Sequence, residues 1–186
     1  MKRIIILLTI ILSGINSSSF GQVYFTKNGR TSFYSKASVE NISADNNQVI
    51  SVLNTQTGAL QFSVLNNAFH FPKAMMEQHF NSDYLESDKY PKSTFKGTVT
   101  DISKVDISKD GTYNVSVTGS LEIHGVSKDV TTPGTITVKD GKISGASTFK
   151  ILLKDYDIQI PSIVKNNIAE NIEINVSCNY EKKSSN

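Results

Sequence analysis

Apolar and polar residues alternate with a period of two along most of this chain, the pattern of strands that bury one face and wet the other. Thr31 to Lys36 reads as such a strand with Phe33 on one face, and Gln48 to Leu53 as another. Leu60, Phe62 and Val64 alternate with Gln61 and Ser63 behind a turn at Thr57-Gly58, and Phe95, Gly97 and Val99 alternate with Lys96 and Thr98. Thr112 to Ile123 is the longest run: Tyr113, Val115, Val117, Gly119, Leu121 and Ile123 share one side. Thr135 to Lys139 and Lys142 to Leu153 flank Asp140-Gly141. Asp-Gly between alternating runs marks a two-residue hairpin, because a type I′ turn needs positive φ at both central positions. A last strand spans about Ile168 to Tyr180.

One segment breaks this period. Pro72 to Phe80 (PKAMMEQHF) opens with proline, which a first helical turn tolerates, and pairs Met76 with Phe80 and Met75 with His79 at a spacing of four. The pattern predicts a short helix here, followed by a polar stretch from Asn81 to Lys92. Seven to nine strands and one short helix give an all-β fold, an antiparallel barrel or sandwich. Periodicity alone leaves both open. A barrel of about eight strands is just wide enough to hold one small or slender ligand.

The N-terminus does not fit this pattern. Lys2 and Arg3 precede the apolar run Ile4 to Leu12, a polar stretch follows, and Ser19-Phe20-Gly21 offers small residues for cleavage. This is the layout of a signal peptide over residues 1–21, leaving one domain over 22–186, exported to a periplasm or secreted. The run is too short to span a bilayer. Removing the segment takes two of the 19 basic residues and no acid, so 17 remain against 17 acids. A near-neutral domain lacks the basic surface that nucleic acid or an anionic membrane requires. The single cysteine, Cys178, lies in the alternating run Ile172, Ile174, Val176, Cys178, Tyr180 and reads as a small buried hydrophobe.

Reactive groups are sparse. The histidines, His70, His79 and His124, have no compact metal-binding spacing. No Gly-x-Ser-x-Gly or glycine-rich phosphate loop occurs, and Cys178 has no evident histidine partner. Asp155 and Asp157 would share a face if their strand continued, but read better as a solvated strand end. His124 falls in phase with the outward residues of its strand, and His124-Gly125 reads as a strand corner. The residues therefore predict no catalytic group, metal or cofactor. Leu60, Phe62, Val64, Phe69, Phe71, Met75, Met76 and Phe80 cluster around the helix, with Tyr113, Val115 and Val117 as a further wall. On residues alone, they fill a dry core or line an apolar cavity. Methionine suits a deformable apolar site, and two on a short helix suit a lid or entrance.

A longer pattern weighs on that choice. Phe69 to Gly97 reads FHFPKAMMEQHFNSDYLESDKYPKSTFKG, with YLESDKYP at Tyr84 to Pro91, and GSLEIHGVSK follows at Gly119 to Lys128, then Val130. In order and spacing this resembles the YceI-like family of exported bacterial proteins over roughly Gln22 to Tyr180. The resemblance implies an antiparallel, eight-stranded, lipocalin-like barrel with one short helix. It also implies a non-enzymatic binder that holds a long apolar lipid, a polyisoprenoid or related amphiphile, against the eleven apolar residues above. One departure is Lys27-Asn28-Gly29-Arg30-Thr31, where many members carry an Asp-x-x-His-Thr stretch, so no head-group contact carries over from that histidine.

Overall fold

A computed structural model describes residues 23–183; the expected signal segment lies outside the described residues. Eight strands, β1 (Val23–Lys36), β2 (Asn41–Asn54), β3 (Ala59–Leu65), β4 (Lys92–Val99), β5 (Gly111–Ile123), β6 (Val126–Lys139), β7 (Lys142–Leu152) and β8 (Asn171–Lys182), pair antiparallel in chain order. β8 pairs back onto β1 and closes the barrel. Among the described residues the one α-helix, α1 (Ala74–His79), runs into a π-helical turn at Phe80–Tyr84.

The period of two is obeyed in each strand it marked and inward residues follow the anticipated phase, but the last strand starts at Asn171 and not near Ile168. β1, β2 and β6 are longer than their patterns suggest. β1 begins eight residues before Thr31, because register shifts between Thr26 and Gly29 and again between Gly29 and Thr31 break its alternation through Lys27-Asn28-Gly29-Arg30. A side chain at Gly29 would meet Cys178 Sγ at 2.7 Å, so the bulge is tightly packed. In β2 a polar residue, Asn46, takes a core position. Its Nδ2 donates to the Leu65 carbonyl at 2.8 Å and its Oδ1 accepts from the Gln48 N–H at 2.8 Å, which satisfies the buried amide. β6 contains Pro133, a residue that normally argues against a central strand. Pairing between β6 and β7 covers only Thr135–Lys139 against Ala146–Lys142, so Pro133 lies where β6 bonds to β5 alone.

The two ends of the barrel differ. The closed end is packed solid by Tyr24, Leu53, Val99, Val138, Ile143, Cys178 and Tyr180, with Ile102, Val105 and Ile107 folded in from the β4–β5 connection. The Ser51 and Tyr180 hydroxyls share a hydrogen bond at 2.8 Å within it. Burial pushes the Cys178 thiol up to about 11 and raises the Tyr180 phenol further above its ordinary value. The open end carries the long β3–β4 and β7–β8 connections, the β1–β2 tip and the β5–β6 corner.

Candidate functional site

A cavity of about 440 Å³ occupies the barrel between the packed floor and the open end. That is the scale of a small-molecule site, far above a packing defect. Its walls follow from the strand period. Inward positions of β5 (Val115, Val117, Leu121, Ile123), β7 (Phe149, Ile151) and β8 (Ile172, Ile174, Val176) supply a continuous hydrocarbon surface. Four phenylalanines roof it. Phe33 from β1, Phe69 and Phe71 from the β3–β4 connection, and Phe80 after α1 pack with ring centroids 5.1 to 5.6 Å apart, the spacing of edge and offset contacts.

Of the eleven residues marked by the sequence, nine line this cavity: Leu60, Phe62, Val64, Phe69, Phe71, Met76, Phe80, Val115 and Val117. Met75 does not. The helical repeat puts it beside Met76 but on the outer side of α1, where it is 69% exposed. Tyr113 does not either. It is in phase with Val115 and Val117 but one step nearer the closed end, where it packs on the floor. Its hydroxyl donates to the carbonyls of Asp106 and Lys109, tying down the β4–β5 connection. The alternation showed which way Tyr113 points but not how deep the floor lies. Several wall residues, Phe33, Phe149 and Ile174 among them, were visible as in-phase strand positions without being singled out; their facing across the cavity depends on barrel closure.

Above Thr135 and Ala146, β6 and β7 both line the cavity without backbone pairing to each other. Side chains bridge the seam. Ser147 Oγ donates to the Pro133 carbonyl at 2.7 Å and lies 3.2 Å from Thr132 Oγ1.

At the top of the seam is the His124 corner. His124 and Gly125 have φ of 53° and 75°, which end strand alternation and turn the chain directly into β6. The ring does not continue the outward row expected of it. It is 13% exposed and packs edge-on against Tyr90 at 4.7 Å between centroids. Nε2 lies 2.8 Å from Glu86 Oε2, and Nδ1 lies 3.1 Å from the Tyr156 carbonyl oxygen. His124 thus fastens the β5–β6 corner to both long connections and lies outside the cavity lining. Asp155 and Asp157 are also outside it. β7 ends at Leu152, Asp155 sits in a 3-10 turn (Leu153–Tyr156), and Asp157 follows in the left-handed conformation. Among the described residues, no group of three or more His, Cys, Asp or Glu could hold a metal ion, and no helix is long and apolar enough to cross a membrane.

Wall, floor and roof belong to one known architecture. The family model for the YceI-like domain matches residues 18–180. The chain belongs to the YceI-like family. Among solved structures, it resembles a polyisoprenoid binding domain from Saccharophagus degradans implicated in plant cell wall breakdown (TM-score 0.75, 14% identity, covering 87% of this chain and 98% of that one). It also resembles BcnA of Burkholderia cenocepacia (TM-score 0.66, 16% identity, 82% and 96%) and the Campylobacter jejuni YCEI protein (TM-score 0.60, 19% identity, 81% and 90%). At these identities the likeness is one of fold. No curated protein matches the chain.

Proposed function

We propose that this YceI-like protein is an exported, non-enzymatic carrier, periplasmic or secreted, that holds a long apolar lipid of the polyisoprenoid type inside its barrel. The observation that carries this reading is the hydrocarbon-lined cavity of about 440 Å³, with four phenylalanines packed together at its helical end. Each buried CH₂ contributes about 0.8 kcal/mol, so a chain of ten to twenty carbons gains on the order of 10 kcal/mol gross. Lost freedom of the chain and of the partners offsets much of it. Selectivity then rests on cavity length and shape. The polyisoprenoid binding of the Saccharophagus degradans domain, which shares this fold, supports the ligand class. Export is supported by the layout of residues 1–21. His124, Asp155 and Asp157 lie off the cavity wall, and the titratable side chains His79 and Glu40 reach it at the helical end.

The test is to express the full-length gene in a bacterium with an envelope, fractionate the cells, and extract the purified protein with organic solvent for mass spectrometry. A polyprenyl or similarly long apolar compound should recover in near-stoichiometric amount. Repeated extracts free of any such lipid, or a protein retained in the cytoplasm, would refute the reading.

A further inference from the structure

Apolar side chains that remain exposed on the described barrel are not scattered evenly. The three most exposed large ones are Ile163 at 90%, Met75 at 69% and Val39 at 67%. They come from three separate segments, the β7–β8 connection, α1 and the β1–β2 tip, and all three segments lie at the open end. They are also tied to one another. The Val39 N–H donates to the Asn166 carbonyl at 3.3 Å, and Lys73, at the start of α1, pairs with Glu40. Their immediate neighbours Glu40, Met76 and Val164 line the cavity. The three side chains therefore form a collar around its mouth.

From this we infer that the collar is a docking surface for a phospholipid bilayer, against which the mouth is pressed when an apolar chain enters or leaves. The inference rests on the carrier reading above: a water-insoluble chain needs an apolar path between bilayer and cavity. Exposed aliphatic side chains at a rim serve that contact by inserting among acyl chains. The charges around them say which kind of bilayer. In the collar segments themselves, Lys73 is paired with Glu40 and Lys165 lies 3.9 Å from Glu170, so these two lysines each have an acid beside them. The contact is apolar insertion, indifferent to lipid charge, and not the polybasic attraction that selects anionic membranes.

The chain has no tryptophan, so Ile163→Trp creates a single fluorescent reporter at the collar. With vesicles of phosphatidylcholine, its emission should shift to the blue and intensify. Vesicles containing phosphatidylglycerol should give a similar response that added salt leaves in place. Ile50→Trp, on the exposed outer wall of β2, should stay silent. In flotation assays, Val39→Asp and Ile163→Asp should each weaken vesicle association roughly tenfold or more, with the far-ultraviolet circular dichroism unchanged because both sites are exposed.

Three results would overturn the inference: no shift at Ile163→Trp with either vesicle, a shift that requires anionic lipid and vanishes with salt, or a concentration-dependent dimer that Ile163→Asp dissociates. The last would assign the collar to a second copy of the chain. Solvent extraction of the same preparation separates the two readings. Bound lipid without vesicle contact removes the docking surface and leaves the carrier. Vesicle contact by a protein that never holds lipid removes the carrier and leaves the docking surface.

Discussion

The two ends of this barrel start from the same alternating strands and reach opposite outcomes. Two corners show how. Asp140-Gly141 at the closed end and His124-Gly125 at the open end are both two-residue hairpins with positive φ at each position. At Gly141 an added Cβ would meet nothing within 4 Å, and Asp140 uses its N–H to reach the Asp110 carboxylate on the surface. At Gly125 the same atom would lie 2.5 Å from Tyr90 Cε1, beneath a histidine bonded to two other segments. One corner only reverses the chain. The other also pins the connections that roof the cavity. Turn chemistry fixes the conformation of both, while the residues brought against them fix their role.

The sharpest way to separate the ends is to truncate one apolar side chain at each. Ile143 lies in the solid floor, where Ile143→Ala leaves a new void and should cost about 2–5 kcal/mol. Lipid content per folded molecule should be unchanged. Phe80→Ala enlarges a cavity that already exists, so its stability loss should be about half of that or less, but bound lipid should fall several-fold. Denaturant unfolding and solvent extraction of the two variants read both quantities. Equal stability losses with equal lipid content would erase the distinction between floor and site.

The corners give a finer comparison. Gly125→Ala combines a disfavoured positive φ with the Tyr90 clash and should cost about 2–3 kcal/mol, against about 1 kcal/mol for Gly141→Ala. His124→Asn keeps a residue that tolerates positive φ and removes the bridge between Glu86 and Tyr156. A loss of about 1 kcal/mol with lipid binding intact is expected, read by thermal melting and extraction. Loss of lipid from a folded His124→Asn protein would move this corner into the site.

Two pH effects belong to the closed end. The Cys178 thiol has a folded pKa raised from 9.0 to about 11, so its contribution is present below pH 9 and disappears as pH rises from 9 to 11. Alkaline melts should show a loss on the order of 2 kcal/mol across that window, smaller in Cys178→Ala, and the thiol should resist alkylation at pH 8 until the protein unfolds. The smallest effect is acidic. Hydrogen bonds from Ser108 hold the Asp106 carboxyl below its ordinary value. Its contribution is present above the unfolded pKa and fades as pH falls through the folded one. The group is fully exposed, so Asp106→Asn should shift the acid melting curve by an amount near the limit of detection.

The all-β class of the fold and part of the cavity wall were legible in the alternation itself. Alternation is a local property: once a strand buries one face, its pleat fixes every second residue, which places Leu60, Phe62, Val64, Val115 and Val117, and the helical spacing places Met76 and Phe80; Phe69 and Phe71 lie in the connection between β3 and α1. The Met-containing segment and the His-Gly corner added the family. Tertiary structure alone decided where the cavity stops and who roofs it. Tyr113 obeys the same alternation as Val115, yet belongs to the floor because Ile102, Val105 and Ile107 fold in beside it from a loop without periodicity. Met75 needed the docked orientation of α1, which the spacing of its apolar residues left open. β1 hid its first half behind a bulge, and β6 tolerates Pro133 only because β7 is unpaired there. His124 turned from an outward strand residue into a fastening across the open end, because its partners, Glu86, Tyr90 and Tyr156, are more than thirty residues away in the chain. Local periodicity reports the face of a residue; depth and partners arise when distant segments close over one another.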